Sequence, residues 1–270
     1  LTFFFKTMKE FWYKWSTLFL AIKNNFLRNI AILKNYLFPT ILDNHLNYYS
    51  SLNILEDNWF ENLPDTQEEQ REYLSIQGIQ SYLVEVFFYD FLLKNNKYSE
   101  VIDFGCGNGR LAASLASINP EIKFTCVDVN QFTERLNEIY LLDNIKFTNS
   151  DFAQVCEQMD NELPKLLMAR MSLAYLDSLN LNKFIDTCSE KNVDLAIADV
   201  TRFRLLTESS KISYTQNSQP VYAHPYEKLL SKKGYSVNID VQKNSALMNF
   251  TSYLFPEFLT FIFAKKSRSL

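Results

Sequence analysis

The chain holds only five glycines in 270 residues, and three of them, Gly105, Gly107 and Gly109, fall within five positions. Glycine lets a backbone turn sharply or approach a neighbour without a Cβ in the way. A chain this sparing of glycine elsewhere needs it here for a local reason. The residues before the cluster, Val101-Ile-Asp-Phe104, read as a short buried strand, and those from Leu111 onward read as an apolar helix. Strand, glycine turn and helix together form the opening unit of an α/β sheet that binds a ligand at a strand's carboxyl end. Two glycine-rich chemistries are excluded. A nicotinamide fingerprint wants its third glycine at position 110, which is Arg110, and a phosphate-binding P-loop wants Gly-Lys-Ser/Thr, which is absent.

From Val101 onward short apolar runs alternate with helical segments. Strands are expected at Val101 to Phe104, Phe124 to Val129, Ile145 to Thr148, Leu166 to Ala169, Leu195 to Ala198, Tyr235 to Val241 and Phe258 to Ala264. Helices between the first five predict a parallel sheet covered on both faces, and the closeness of the last two strands allows a final antiparallel pair. Before Val101 the rhythm is helical. Thr66 with Glu69 three residues on is a capping box, opening a helix through about Leu93 with Tyr82, Leu83, Val86, Phe87 and Phe91 as its buried stripe. Further upstream, Met8, Phe11, Trp15, Leu18, Ile22, Phe26, Ile30, Leu33 and Leu37 recur at three- and four-residue steps, an amphipathic helix or helix pair ended by Pro39. It is expected to pack on its own domain; a homodimer face and a basic membrane-surface helix are the alternatives. The organisation is therefore an N-terminal helical extension over 1–97 followed by an α/β domain over 98–270.

Charge and rare residues narrow the function. Lys and Arg number 27 against 31 Asp and Glu, a formal −4, which argues against a nucleic-acid binder and for a smaller substrate. Residues 1–50 run against this balance, with six basic residues and two acids giving +4. Cys106, Cys126, Cys156 and Cys188 show no CxxC spacing and read as reduced thiols of a cytoplasmic protein. Two histidines, His45 and His224, do not build a His-rich centre, so no metal is expected. The apolar run Trp15 to Ile22, bounded by Lys14 and Lys23, is far short of the roughly 20 residues a membrane span needs.

The motif Asp103-x-Gly105-x-Gly107-x-Gly109 resembles the first motif of class I S-adenosylmethionine-dependent methyltransferases, and the resemblance continues through Val127-Asp128 and Ser150-Asp151-Phe152 to cover roughly residues 98 to 265. It implies a Rossmann-like seven-stranded methyltransferase sheet and S-adenosylmethionine as cofactor, leaving S-adenosylhomocysteine as product. It further implies that Asp103, Gly105 and Gly107 border the methionine moiety, that Asp128 accepts hydrogen bonds from the ribose hydroxyls, and that Asp151 meets the adenine with Phe152 beside the ring. A carboxylate at the carboxyl end of a strand suits such a diol.

The acceptor side is read partly by elimination. The sequence after the fourth strand lacks the Asn/Asp/Ser-Pro-Pro-aromatic motif of the resembling amino-group methyltransferases, and no Pro-Cys is present for cytosine chemistry. Arg170 and Tyr175 stand there instead, suited to a pocket or an anionic substrate. His224, in Val221-Tyr-Ala-His-Pro-Tyr226, is the candidate general base, with Tyr222 beside the acceptor and Asp199 as competing base. Tyr73-Leu-Ser-Ile-Gln-Gly-Ile-Gln-Ser81 together with His-Pro-Tyr resembles sugar-type O-methyltransferases of bacterial surface-glycan and natural-product pathways, where Gln77 and Gln80 would close over the cofactor. The expectation is methyl transfer to an oxygen of a carbohydrate-like small molecule, either a hydroxyl or an ionised phosphate or phosphoramidate oxygen. N-methylation and a non-catalytic scaffold are the alternatives.

Overall fold

The computed structural model describes residues 51–151, 154, 165–202, 211–214, 220–241 and 257–267. Its centre is a seven-stranded sheet in the order β3-β2-β1-β4-β5-β9-β8. The first five strands are β1 (Glu100–Phe104), β2 (Lys123–Asp128), β3 (Ile145–Asn149), β4 (Lys165–Arg170) and β5 (Asp194–Arg202). They run parallel, while β9 (Glu257–Lys266) pairs antiparallel with both β5 and β8 (Tyr235–Val241). All seven expected strands form. The fifth is longer than its apolar run because β9 pairs along it as far as Arg202↔Glu257.

Alternation along the strands sorts the core into two layers. Val101, Phe124, Cys126, Leu166 and Met168 face a layer made by α2 (Leu83–Asn96) and α3 (Arg110–Ile118). Ile102, Val127, Leu167, Ala169 and Ile197 face α4 (Ser178–Glu190) and α5 (Tyr226–Lys232). Val86, Tyr89 and Leu92 of α2 share one core with the sheet, and the secondary structure changes from helix to strand around the expected boundary at 97/98.

The expected helix from Thr66 is built in pieces. Thr66 caps α1 (Gln67–Tyr73), its hydroxyl donating to Glu69 Oε2 at 2.6 Å. A π-helical turn, Leu74–Gly78, follows, and at Gly78 a Cβ would lie 2.2 Å from Ser114 Oγ of α3. The chain then breaks at Tyr82 (φ −131°, ψ 36°) before α2 begins. That break turns the expected stripe. Val86 is buried, but Leu83 is 48% exposed and Phe87 and Phe91 are each 64% exposed, while Tyr89, Leu92 and Leu93 face the core instead. Between β5 and α5 the chain also holds an antiparallel pair, β6 (Lys211–Tyr214) with β7 (Pro220–Ala223), a ladder the polar sequence does not announce. The amphipathic pattern of residues 1–50 lies outside the described residues. Among the described residues no helix is long and apolar enough to cross a membrane.

Candidate active site

The carboxyl ends of β1, β2 and β4 open on a cavity of about 530 Å³. Open α/β sheets hold their ligands at this edge. The glycine turn forms its floor. Gly105 has φ +74°, and a Cβ there would meet Ser172 Cβ at 2.3 Å; Gly109, also at φ +74°, would meet Phe147 Cε1 at 2.3 Å. Both positions need glycine twice over, for the left-handed backbone and for the missing side chain. Gly107 donates its N–H to Asp128 Oδ2 at 2.8 Å, and Asn130 donates its N–H to Asp128 Oδ1 at 2.9 Å. Asp128, 4% exposed, is thereby locked with its carboxylate on the cavity wall.

Asp103 lines the same wall and is 3% exposed. Burial first, and then the Asp128 charge, push its carboxyl up to about 7, with Arg170 opposing. Cys106 also lines the cavity, its thiol pushed up by burial, which keeps it protonated and unreactive at neutral pH. Ser150 and Val129 mark the far end. Asp151 stands next to Ser150, exposed, with Oδ1 accepting the Gln154 N–H at 3.0 Å in the manner of a helix cap; Phe152 lies outside the described residues.

The other end of the cavity carries Tyr82, Arg170, Met171, Ser172, Tyr175 and Leu176. Arg170 is held by Glu85 of α2, with Nε and Nη2 each 3.0 Å from Oε1, and its guanidinium lies 5.0 Å from the Tyr82 ring centroid. Met171 adopts φ +54°, a conformation disfavoured for a side-chain-bearing residue, and its N–H donates to Ala198 at 2.9 Å. Ser172 donates its hydroxyl to the Phe104 carbonyl at 2.6 Å, tying the β4 turn to β1.

The expected bases do not reach this wall. His224 is fully buried, with Nε2 3.0 Å from the Leu176 carbonyl, which can only accept, so the ring presents that nitrogen as N–H. Burial pushes it down to about 4, with the Leu176 and Leu173 carbonyls opposing. Its ring packs between Tyr222 and Tyr226, centroids 5.7 and 5.5 Å away, and it meets the cavity-lining Leu176 without lining the cavity itself. Tyr222, placed beside the acceptor from sequence, belongs to this stack and does not line the cavity. Asp199 is fully buried and accepts the Tyr226 hydroxyl at 2.8 Å. Gln77 and Gln80 are exposed and absent from the lining.

Sequence reasoning missed Tyr82, Glu85 and the segment that crosses the glycine turn. In that segment Asp57 accepts from Asn108 Nδ2 at 2.7 Å, the Leu52 carbonyl accepts from Asn130 Nδ2 at 2.9 Å, and the Trp59 ring stacks 3.5 Å from the Arg110 guanidinium. Tyr82 immediately precedes α2 and Glu85 lies on its first turn, but their partner Arg170 is 85 residues beyond Glu85 and no local pattern marks the pairing.

Residues 87–162 match the methyltransferase small domain family. Among solved structures, the magnesium protoporphyrin IX methyltransferase of Synechocystis PCC 6803, determined with bound SAM, superposes with a TM-score of 0.50 at 13% identity over 84% of this chain and 97% of that one. An O-methyltransferase family protein from Burkholderia thailandensis aligns over 93% of this chain and 72% of that one at 12% identity, TM-score 0.48. The N-methyltransferase NodS from Bradyrhizobium japonicum WM9 aligns over 84% of this chain and 100% of that one at 14% identity, TM-score 0.48. No curated protein matches the chain by sequence.

Proposed function

We propose that this chain, a class I S-adenosylmethionine-dependent methyltransferase by its sheet order and its family segment, methylates an oxygen of a small acceptor, a sugar or surface-glycan precursor that offers an ionised phosphate- or phosphoramidate-type oxygen. The donor set fits the cofactor. Asp128 lines the cavity with a carboxylate oriented by the Gly107 and Asn130 N–H groups, an acceptor of the kind a ribose diol needs. The glycine turn leaves room for the methionine chain, and the Asp103 carboxylate would face its cationic groups. Asp151 and Phe152 stay assigned to the adenine end through the resemblance. When bound, S-adenosylmethionine supplies a methyl group on a positively charged sulfur.

The acceptor half rests on one observation. Among the described residues on the wall the only cation is Arg170, while His224 and Asp199 face a carbonyl and a tyrosine behind it. A neutral hydroxyl would need a base within hydrogen-bond reach, and the carboxylates on the wall, Asp103 and Asp128, are assigned to the cofactor; an ionised oxygen needs only to be bound and aligned. Arg170, oriented by Glu85 and Tyr82, retains N–H groups for such an anion, and Tyr175 and Leu176 close the remaining side. Isotopically labelled methyl donor and a panel of sugar phosphates test this. Transfer to oxygen is expected, with Arg170→Met raising acceptor KM by about 10- to 100-fold, the equivalent of one charged hydrogen bond, and leaving cofactor affinity within about twofold. A labelled N-methyl product would replace the oxygen acceptor, and unchanged KM in Arg170→Met would remove the anion from the reading.

A further inference from the structure

Among the described residues three that are not glycine have a left-handed backbone, Lys97, Met171 and Asn192. Lys97 and Asn192 follow the ends of α2 and α4, where a left-handed residue commonly caps a helix. Met171 has no such reason. It follows a strand, β4, at φ +54°, and its N–H is tied to the Ala198 carbonyl of β5. Glycine takes this conformation without steric cost, as it does at Gly105, Gly107 and Gly109 in the facing turn. The chain instead carries strain to keep a long apolar side chain here. Strained residues over-determined by their surroundings cluster at ligand sites.

We propose that Met171 is a specificity-determining residue, whose side chain fills the space beside the cofactor's sulfur and so limits the size of the group that can be carried there. Met171 takes this role from the cofactor placement proposed above, whatever the acceptor is. In that placement the ribose lies over Asp128 at the end of β2 and the methionine over the glycine turn at the end of β1, and β4 is the next strand in the sheet. Met171 lines the cavity between two neighbours that face opposite halves of the site. Ser172, whose Cβ a Cβ on Gly105 would meet at 2.3 Å, packs against the floor under the methionine chain. Arg170 presents the cation of the acceptor wall. The turn after β4 therefore passes the point where donor and acceptor meet. A thioether has no proton to give or take, so Met171 acts there by occupying space and keeping water from the sulfonium.

Calorimetry of the full chain with S-adenosylmethionine, and with its analogue bearing a benzyl group in place of the transferred methyl, tests the role, because both probes use the same adenosine and methionine contacts. The unaltered protein should bind the benzyl analogue at least about tenfold more weakly, the cost of forcing a bulky group into filled space. In Met171→Ala and Met171→Gly that ratio should fall to about threefold or less, while Met171→Leu, of similar volume, should keep it. Urea unfolding separates backbone from side chain. Alanine and glycine empty the same space, but glycine alone relieves the left-handed turn, so Met171→Gly should unfold at a higher urea concentration than Met171→Ala, the reverse of the ordinary order. A ratio near one in the unaltered protein, or a ratio that survives both truncations, overturns the space-filling role. An alanine variant more stable than the glycine variant overturns the strain. Full affinity for S-adenosylmethionine in a folded Asp128→Ala protein would instead refute the cofactor placement, and this role with it.

Discussion

Asp103→Asn separates the electrostatics of the cavity from its shape. The folded protein holds the Asp103 carboxyl at about 7 against an ordinary 3.8, chiefly through burial and secondly through Asp128. Between those two values the folded state keeps a proton that the unfolded state has released, so wild-type stability falls as pH rises, by about 1.4 kcal/mol per pH unit, and levels off above about 7. The full cost of charging Asp103 in the folded protein is thus about 4 kcal/mol at pH 8. Asparagine keeps the shape and never charges. Urea unfolding of both proteins at pH 5.5, 6.5 and 8 should show the asparagine variant's advantage growing by about 2 kcal/mol from the lowest pH to the highest, because the wild type loses 1.4 kcal/mol per unit up to pH 7. Titrating groups remote from Asp103 are common to both proteins and cancel. A difference that does not change with pH would refute the account, whatever its size. The same charge serves ligand binding: the affinity of the wild type for cationic S-adenosylmethionine should rise between pH 6 and 7.5, by up to about tenfold per unit, and the asparagine variant should lack that slope.

Asp128→Ala removes a carboxylate already positioned by two N–H donors, and calorimetry should show cofactor affinity falling by at least about tenfold; unchanged affinity in a folded variant would take Asp128 out of the ribose site. Gly109→Ala forces a Cβ against Phe147 at a left-handed backbone position and should cost about 2–4 kcal/mol in urea unfolding, with a loss below about 1 kcal/mol contradicting the packing. His224→Ala should reduce turnover by less than about tenfold, short of the roughly 10²–10⁴-fold loss of a general base. A larger fall with the fold intact would restore His224 to the chemistry. Charging of His224 is disfavoured in the folded state, so the stability it contributes is present above about 6.5 and is lost as pH falls toward 4.

Most of the sheet is legible because strands covered on both faces write themselves as continuous apolar runs, Val101 to Phe104 and Leu166 to Ala169 being the plainest. The cavity floor is legible for a different reason: glycine clusters where no other residue fits, and Gly105 and Gly109 bear this out by backbone and by contact. What failed was facing. Leu83, Phe87 and Phe91 have the spacing of a buried stripe, and the break at Tyr82 sets Tyr89 and Leu92 inward in their place. Periodicity says that a helix has an apolar face; it does not say which neighbour covers it.

The acceptor wall shows the same limit. Arg170 announces itself at the end of β4, but its hold by Glu85 joins positions 85 apart, and the left-handed Met171 has no composition signal at all. His224 sits in a motif that suits a base, yet its depth behind Leu176 depends on how α5 and the turn after β4 pack. By itself, then, the sequence determined the strand positions, the glycine turn and the acids placed around it, because backbone conformation and burial act locally and leave a mark on residue type. Only the tertiary structure decided which charges meet, which side chains reach the cavity and which face of α2 stays exposed. Those depend on distances between segments remote in the chain, and a residue's type does not record them.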